Sequence, residues 1–391
     1  MKKVVTVMLI LTLLGMVAAS GCLDGGEESS KTSPTSSTTA PTSSLPMTSK
    51  PSETTTSQAP QSWEMELVWN VSTSGIPLLD MSPDGSLSAV IDWNNADLYL
   101  VKPSGESVTF DLQGDDAVEP VVVGVVVRDR EAHVLADYAE FAGVRIYSWE
   151  GQTGEERHGW AGAVADSIAI SPSGNHLCYL ITTGATTQEL YCDGVKTTIE
   201  NAGGYNMVDV SDTGLVAVGS GGEAGDVLIF KNGSRVMTLS PDSHMVVLYG
   251  DRIIGQFEGE LRVLDAEGNV LARSGQYCLR WYSLLIPSVR ATEKYLLWTD
   301  EFEGTRVLTW NMTEVKSLEG FMRFANENFV VTVKGGVIHC YSLRDFHEVF
   351  SVKVPGESLG YVRLSDDGRV LLVSGEFGSF WLYVKGLTLN V

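Results

Sequence analysis

The sequence predicts an all-β fold in which about eight copies of a four-stranded unit close into a ring. From Trp63 onward, short runs of Val, Ile, Leu, Tyr and Phe alternate with clusters of Gly, Asn, Asp and Ser, a pattern typical of strands and turns. A Ser-Pro-Asp-Gly turn at 82–85 recurs in related forms at 171–174, 211–214 and 365–368. Weaker equivalents at 128–131, 250–252, 293–294 and 325–328 complete eight units of about 40 residues. This period, with four short strands per unit, predicts a β-propeller.

Each unit divides into four strands, which we name a, b, c and d. In the third unit the pattern predicts strand a at 163–170, the turn at 171–174, and strands b, c and d at 176–181, 189–192 and 196–199. The turn chemistry is consistent, because Pro presets φ at the second turn position and Gly takes the last. Strand a should be the most apolar, since it lines the crowded axis.

The two ends of the chain are predicted to close the ring. The lone strand at 65–71 should pair with 380–384 and remove an exposed sheet edge. Residues 387–391 are a rival for the same position. Seven blades remain an alternative if one of the weaker units, 242–275 or 319–356, is absorbed elsewhere.

The first 21 residues have the pattern of an export signal. Lys2 and Lys3 precede an apolar run at 4–17, which is short for a membrane span. Ala19-Ser20-Gly21-Cys22 then resembles the lipobox of prokaryotic lipoproteins. The resemblance implies that Cys22 becomes the lipid-modified N-terminus, and a lipid with two chains suffices for stable anchoring.

Residues 22–62 are predicted to be a disordered linker. Between Ser29 and Pro60, 19 of 32 residues are Ser or Thr and five are Pro. Such a segment has too little apolar surface to offset the entropy of ordering. Ser/Thr runs broken by Pro resemble O-glycosylated stalks, such as those of surface lipoproteins of archaea and of some Gram-positive bacteria. The propeller domain is therefore predicted at 63–391.

The charge balance limits the partners. The chain has 27 basic and 49 acidic residues, a formal net charge of −22. This excess argues against nucleic acid, whose phosphates would be repelled, and against docking on anionic lipid through a basic patch. It permits cationic partners.

The repeated turns resemble those of WD-repeat-like and YVTN-type propellers, in which this turn links strands a and b. The resemblance covers 63–391 and implies the fold, not the function. The Gly-His and Trp-Asp pairs of standard WD repeats are missing. Thr153-Gly154 followed by Trp160 is similar to a quinoprotein repeat but occurs once, so we interpret Trp160 as a blade-packing residue.

No motif predicts a catalytic group, a metal or a cofactor. The six histidines are scattered and form no HxH or HExxH pattern. The glycine-rich segment 219–225 joins strand to strand and so offers no helix N-terminus to a phosphate. We also expect no concentration of ionisable side chains at the entrances of the a strands.

Cysteines and sequons add further expectations. Cys178 and Cys192 lie opposite each other on strands b and c, and are either a disulfide or two buried thiols. A bridge between Cys278 and Cys340, in successive blades, is less favoured. Asn70, Asn232 and Asn311 begin Asn-X-Ser/Thr sequons and should lie on solvent-facing turns or edges.

Acidic and aromatic residues recur together in the loops between strands b and c, all of which emerge on one face of a propeller. We predict that they form a binding rim, since rings stack on sugars or cations and carboxylates accept hydrogen bonds. In the alternative, the rings wedge between blades and the acids are solvated. The predicted rim consists of Asp92, Trp93, Asp137, Tyr138, Phe141, Phe257, Glu258, Asp300, Phe302, Glu376 and Phe377, with Glu140 beside Phe141.

Together these patterns favour a lipid-anchored extracellular binding or scaffold protein with a monomeric propeller, which recognises a surface protein, a peptide or a glycan. The alternative is an envelope enzyme, a glycan lyase or hydrolase, with its site in the central channel. The sequence favours the non-catalytic interpretation.

Overall fold

The computed structural model describes most of the predicted propeller. The described residues are 63–113, 118–138, 140–159, 162–200, 202, 204–219, 226–241, 246–276, 289–300, 304–355, 359–376 and 378–386. They belong to a compact unit, Pro60–Val391, and every regular element among them is a strand. The predicted signal at 1–21, the predicted lipidation site Cys22 and the predicted linker at 22–62 lie outside the described residues and stay predictions.

The strands form eight four-stranded antiparallel sheets, which are the blades. Blades 1 to 4 are β2 (Leu78–Met81), β3 (Ser88–Asp92), β4 (Asp97–Val101), β5 (Ser107–Asp111); β6 (Val121–Arg128), β7 (Glu131–Asp137), β8 (Ala142–Ser148), β9 (Gly151–His158); β10 (Val164–Ile170), β11 (Leu177–Thr182), β12 (Thr187–Cys192), β13 (Val195–Glu200); and β14 (Met207–Val210), β15 (Leu215–Gly219), β16 (Val227–Lys231), β17 (Ser234–Leu239).

Blades 5 to 7 are β18 (Val247–Tyr249), β19 (Arg252–Phe257), β20 (Glu260–Leu264), β21 (Val270–Gln276); β22 (Val289–Ala291), β23 (Tyr295–Asp300), β24 (Gly304–Thr309), β25 (Glu314–Leu318); and β26 (Phe321–Ala325), β27 (Phe329–Lys334), β28 (Val337–Ser342), β29 (Glu348–Lys353). Blade 8 combines β30 (Leu359–Leu364), β31 (Val370–Gly375) and β32 (Ser379–Lys385) with the first strand of the chain, β1 (Met65–Ser72). The prediction of eight four-stranded units is confirmed, and both weaker units form blades of their own.

Closure of the ring follows the predicted pairing. Strand β1 runs antiparallel to β32, with Met65 opposite Lys385 and Val71 opposite Phe380. The Gly386 N–H extends the ladder by donating to the Glu64 carbonyl at 2.8 Å. The rival segment, 387–391, lies outside the described residues. Blade 8 is thus assembled from both ends of the propeller unit, which satisfies the outer edge of β32.

The first strands of the eight blades surround the axis. Each of them, β2, β6, β10, β14, β18, β22, β26 and β30, contacts the first strand of the next blade, and the contacts form a complete ring. We call the space that these eight a strands enclose the axial channel.

The core lies between the blades. Eight hydrophobic clusters each join two neighbouring blades, and together they cover all eight junctions of the ring. In the seam cluster, Leu79 and Val90 of blade 1 pack with Phe380 and Leu382 of blade 8, and all four are at most 3% exposed. Each sheet therefore buries its apolar faces against its neighbours, as repeat stacking requires.

The recurring turn is built as its residue types suggest. The Ser82 Oγ accepts the Leu87 N–H at 3.1 Å, and the Gly85 N–H donates to the Ser82 carbonyl at 2.8 Å. Gly85 has φ +70°, a conformation that glycine adopts without strain. The equivalent serines 171, 211 and 365 are at most 2% exposed, because their hydroxyls complete the turn in the same way.

Hydrogen bonds also join these turns across blade junctions. The Asp366 N–H of blade 8 donates to the Pro83 carbonyl of blade 1 at 2.7 Å. The Ser173 N–H of blade 3 donates to the Asp212 carboxylate of blade 4 at 2.8 Å, and Thr213 Oγ1 donates to Asp251 of blade 5 at 2.9 Å. The repeat motif thus positions neighbouring blades as well as neighbouring strands.

Candidate functional site

The first residues of the predicted rim lie at the junction of blades 1 and 2. Asp92 is 4% exposed, and its carboxylate accepts the Asn95 side-chain amide at 2.8 Å and the Asn94 N–H at 3.2 Å. The Trp93 ring packs on the blade 1–2 core, and its Nε1 donates to the Val122 carbonyl at 3.0 Å. Both side chains therefore shape the loop and its junction from within.

Tyr138 and Phe141 form a buried aromatic pair in blade 2. Each is 6% exposed, and their rings stack with centroids 4.8 Å apart. The Arg145 guanidinium lies 3.9 Å from the Tyr138 centroid and that of Arg157 lies 4.6 Å from the Phe141 centroid. Such cation–π contacts stabilise the loop. Both rings are packed between blades, as the alternative to a binding rim expects.

In blades 5 and 8, carboxylates of the rim are exposed. Phe257 is 8% exposed and belongs to the blade 4–5 core. The Glu258 side chain, next in the chain, is 82% exposed and lies 2.6 Å from Arg262. Glu376 is exposed as well, as is Glu140 beside Phe141. The described loops therefore present carboxylates to solvent above buried rings.

Three members of the predicted rim stay untested. Phe302 and Phe377, and the side chain of Asp300, lie outside the described residues, as does Trp160. The structure brings Asp137, Tyr138 and Phe141 together in one blade, and it separates Asp92, Phe257 and Glu376 among three others. Ligand binding at the rim stays a prediction.

The expectation that ionisable side chains are not concentrated on the a strands was wrong. The a strands carry seven charged residues, Asp80, Arg128, Asp166, Asp209, Arg290, Arg323 and Arg363. The aspartates belong to blades 1, 3 and 4 and the arginines to blades 2, 6, 7 and 8. The sequence pattern missed them because each stands singly within an apolar strand, and only the ring assembles them.

Asp80 and Arg363 form the best-defined ion pair of the channel. The Arg363 Nε lies 2.8 Å from the Asp80 Oδ1, and both side chains are less than one-fifth exposed. The second carboxylate oxygen of Asp80 accepts the Val127 N–H at 2.8 Å. One carboxylate thus connects blades 8, 1 and 2.

Arg290 and Arg323 have no such partner. Their Nε atoms are buried, and no acceptor lies within hydrogen-bond distance in the described part of the chain. Burial lowers the pKa of Arg290 to about 10, and the charge of Arg363 adds to this effect while Asp209 opposes it. Burial also lowers the pKa of Arg323, against the attraction of Glu376 and Tyr361. At neutral pH the Arg290 guanidinium is therefore cationic.

Two largely buried carboxyl groups, those of Asp137 and Asp166, lie at the junction of blades 2 and 3. The Asp137 Oδ1 accepts the Ala165 N–H at 2.5 Å, and burial raises its pKa to about 6. Asp166 accepts hydrogen bonds from Thr182 at 2.8 Å and Gln188 at 3.0 Å. Burial raises its pKa to about 6 as well, and the nearby Asp137 contributes to the shift.

A cleft of about 550 Å³ lies at the outer edge of blades 2 and 3 and is lined by His158, Tyr191, Glu189 and Lys196 among others. The His158 ring lies with its centroid 3.9 Å from that of Tyr191. Burial lowers the pKa of His158. Lys196 pairs with Glu189 at 2.6 Å, so the charged groups of the cleft are matched internally.

The disulfide follows from the register of one hairpin. Cys178 and Cys192 face each other in the register of β11 and β12 and form a disulfide with a Cα–Cα distance of 4.2 Å. Cys340 is a buried free thiol, and Cys278 lies outside the described residues.

The asparagines of the three sequons, Asn70, Asn232 and Asn311, are all exposed.

Within the described ranges, no three His, Cys, Asp or Glu side chains are grouped closely enough to hold a metal ion. The same part of the chain contains no helix of the length and apolar character needed to span a membrane.

The ring of eight four-stranded blades, with a charged axial channel, defines an eight-bladed β-propeller of the WD40 architecture. It is similar to the C-terminal WD40 domain of Sif2, with a TM-score of 0.59 and 10% identity over 84% of this chain and 100% of that one. It is also similar to the Dos1 propeller, with a TM-score of 0.58 and 12% identity over 83% and 94% of the two chains. At these identities the likeness concerns the fold alone.

The chain belongs to the same family as an uncharacterized protein of Archaeoglobus fulgidus. The two are 53% identical over 329 residues, which is 84% of this chain and 91% of its relative. No family model matches the sequence.

Proposed function

We propose that this chain is a lipid-anchored, extracellular binding protein of a prokaryotic, archaeal cell envelope. Its propeller recognises a cationic segment of another surface protein on the face that carries the b–c loops. The observation that carries the proposal is the arrangement of exposed Glu140, Glu258 and Glu376 on one face of a closed ring.

The loop face suits a cationic partner for two reasons. Phe141 and Phe257, which precede or follow these carboxylates in the chain, are buried at blade junctions and so hold the loops in place. The net charge of −22 would also accelerate the approach of a positively charged partner. Rigid loops that carry unburied charges lose little entropy on binding.

The channel chemistry favours binding over catalysis. Four of the seven charged residues on the a strands are arginines, which stay protonated and cannot exchange protons near neutral pH. Asp80 is already committed to Arg363 and to a backbone N–H. Asp80 and these arginines are suited to holding charge, and they do not form an acid–base pair.

The proposed location has support from both parts of the chain. The charged start, the apolar run and Ala19-Ser20-Gly21-Cys22 have the order of parts that export and lipidation require. The Cys178–Cys192 disulfide is typical of an oxidising compartment. Exposure of all three sequon asparagines is compatible with glycosylation outside the cell.

Anchoring is tested by a Cys22→Ser variant expressed in an archaeal host. We expect the wild-type chain in the membrane fraction with a lipid mass on its N-terminal residue, and the variant in the medium. A membrane-bound Cys22→Ser variant would contradict lipid anchoring.

Recognition is tested with residues 63–391 immobilised and probed with soluble Lys/Arg-rich peptides and envelope proteins. The triple variant Glu140→Gln, Glu258→Gln, Glu376→Gln should bind the cationic partner at least tenfold more weakly. The control triple, Glu106→Gln, Glu150→Gln, Glu267→Gln, removes the same charge from exposed c–d turns of the opposite face. Equal weakening by both triples would reduce the effect to net charge and overturn the proposed face.

A further inference from the structure

A larger cleft, of about 620 Å³, lies between the outer strands of blades 3 and 4, and we call it the blade 3–4 cleft. Its volume is in the range of small-molecule binding sites. Strand β13 of blade 3 forms one wall, and β16 and β17 of blade 4 form the other. The space is therefore bounded by two sheets that face each other across one blade junction.

The floor of the cleft is apolar and belongs to the core. Ile199 of blade 3 and Leu228 and Phe230 of blade 4 line the cleft, are at most 5% exposed, and belong to the hydrophobic cluster of this junction. The Thr197 Oγ1 of blade 3 donates to the Gly233 carbonyl of blade 4 at 2.8 Å, so a hydrogen bond joins the two walls. A preformed space of this kind loses little entropy when a ligand enters.

Tyr205 lines the same cleft from the connection between β13 and β14. Gln188, which is 2% exposed, accepts the Tyr205 N–H at 3.1 Å and donates to the Tyr205 carbonyl at 2.5 Å. The half-buried ring also packs against the hydrophobic cluster of the junction. Tyr205 is thus held in position by its backbone, and it offers both an apolar ring and a polar hydroxyl to a ligand.

The rim of the cleft carries charges of both signs. Glu200, Asp226 and Arg235 all line the cleft and are exposed. The Ser240 hydroxyl donates to the Asp226 Oδ1 at 2.5 Å, which orients this carboxylate. Burial raises the pKa of the Tyr205 hydroxyl, the charge of Asp226 adds to this effect and Arg235 opposes it, so both charged groups act on the hydroxyl.

This combination of groups suits a neutral ligand that is rich in hydroxyls. Glu200 and Asp226 would repel an anion, and Arg235 would repel a cation. A sugar hydroxyl both donates to a carboxylate and accepts from a guanidinium or a phenol. The C–H faces of a sugar ring are apolar and match the floor of the cleft and the ring of Tyr205.

We propose that the blade 3–4 cleft binds a short neutral saccharide chain. The Tyr205 ring contacts a sugar ring, while Asp226 and Arg235 bind its hydroxyl groups from opposite sides of the charge balance. The site shares no residue with the loop face that carries Glu140 and Glu258, and it does not require the lipid anchor. It therefore extends beyond the proposed function.

Saturation-transfer NMR tests this site with residues 63–391, within which the ring closes. The probes are four neutral disaccharides, namely maltose, cellobiose, mannobiose and N,N′-diacetylchitobiose. We expect saturation transfer to at least one of them, because weak binding in fast exchange is sufficient for this signal. A titration of that disaccharide then gives its affinity.

Substitutions in the cleft test the contribution of each group. Tyr205→Ala and Arg235→Gln should each weaken disaccharide binding about tenfold or more, the usual effect of a lost ring contact or a lost hydrogen bond to a charged group. Tyr205→Phe keeps the ring and should retain part of the affinity. The matched control, Arg273→Gln, removes an exposed arginine from β21, the outer strand of blade 5, and should leave binding unchanged.

Two results would overturn the proposal: no transfer to any of the four disaccharides, or equal affinities of Arg235→Gln and Arg273→Gln. Both arginines are exposed, so neither substitution should alter folding, and melting temperatures check this. A neutral Gly/Ser/Thr peptide is the competing probe. Transfer to this peptide alone, abolished by Arg235→Gln, would assign the cleft to a peptide and also overturn the saccharide site.

The triple variant Glu140→Gln, Glu258→Gln, Glu376→Gln separates this site from the loop face. It should bind the disaccharide as the wild type does, whatever its effect on cationic partners. A loss of disaccharide binding in this triple variant would place the saccharide on the loop face and overturn the cleft.

Discussion

Arg363 and Asp80 are 283 residues apart in the chain, yet their Nε and Oδ1 atoms lie 2.8 Å apart at the junction of blades 8 and 1. Asp80 also accepts a backbone N–H of blade 2. The pair therefore reinforces the junction of blades 8 and 1, whereas the backbone pairing of β1 with β32 completes the sheet of blade 8.

Asp80→Asn should destabilise the propeller by about 2–4 kcal/mol, because it leaves the largely buried Arg363 without a counter-charge. Urea unfolding of residues 63–391 measures the change. The control Glu106→Gln breaks the exposed pair of Lys102 and Glu106 and should cost at most about 0.5 kcal/mol. Equal effects of the two variants would rule out a structural role for the seam pair.

Gly85→Ala and Gly174→Ala form a matched pair of turn substitutions. Both glycines have positive φ, +70° and +78°, so each alanine should cost about 1–2 kcal/mol in backbone strain. A Cβ on Gly85 would also lie 2.9 Å from the Ser365 Cβ of blade 8, whereas one on Gly174 would meet nothing within 4 Å. We therefore expect Gly85→Ala to lower the melting temperature more, and the reverse order would contradict this account.

Stability should depend on pH through Asp137. Burial raises its pKa from 3.8 to about 6 in the folded state, so the folded protein binds this proton more tightly than the unfolded chain does. The resulting stabilisation is complete below pH about 4 and is lost as the pH rises through about 6. It amounts to at most about 3 kcal/mol.

Asp137→Asn keeps the oxygen that accepts the Ala165 N–H but removes the titration. Unfolding free energies measured between pH 4 and 7 should fall less steeply for this variant than for the wild type. An unchanged pH profile would show that Asp137 ionises normally.

Phe141→Ala should cost about 3 kcal/mol, because the ring is 6% exposed and packs between blades 1 and 2. Glu258→Gln, at an 82% exposed side chain, should change stability by less than about 0.5 kcal/mol. Thermal and urea unfolding measure both changes in stability. Near-wild-type stability of Phe141→Ala would contradict a packing role for this ring and favour a role in ligand binding.

Reduction of the Cys178–Cys192 disulfide should destabilise the native state by about 3 kcal/mol, as expected when a loop with a sequence separation of 14 residues is released. Urea midpoints with and without a phosphine reductant measure this effect. The double variant Cys178→Ala, Cys192→Ala is the control and should not respond to the reductant. An unchanged wild-type midpoint would show that the bridge adds no stability.

Much of the fold was predictable from sequence because its signals are local. The Ser82 hydroxyl and the positive φ of Gly85 act within one turn, and the same chemistry recurs at the later turns. The closing strand was predictable for a similar reason, since 65–71 is a lone strand before the first repeat. The aromatic residues of the rim were less informative, because a ring beside a loop packs equally well toward a neighbour or toward a ligand.

The repeat, the strands and the closing pair could be predicted from the residues alone, since turn chemistry and strand alternation depend on neighbours a few residues away. The charges around the axial channel could not be predicted in this way. Arg323 lies at an irregularity of β26, where the register shifts between Met322 and Phe324, so simple alternation does not predict the direction of its side chain. Charges that stand singly in separate strands become a cluster only when the ring brings the strands together around one axis.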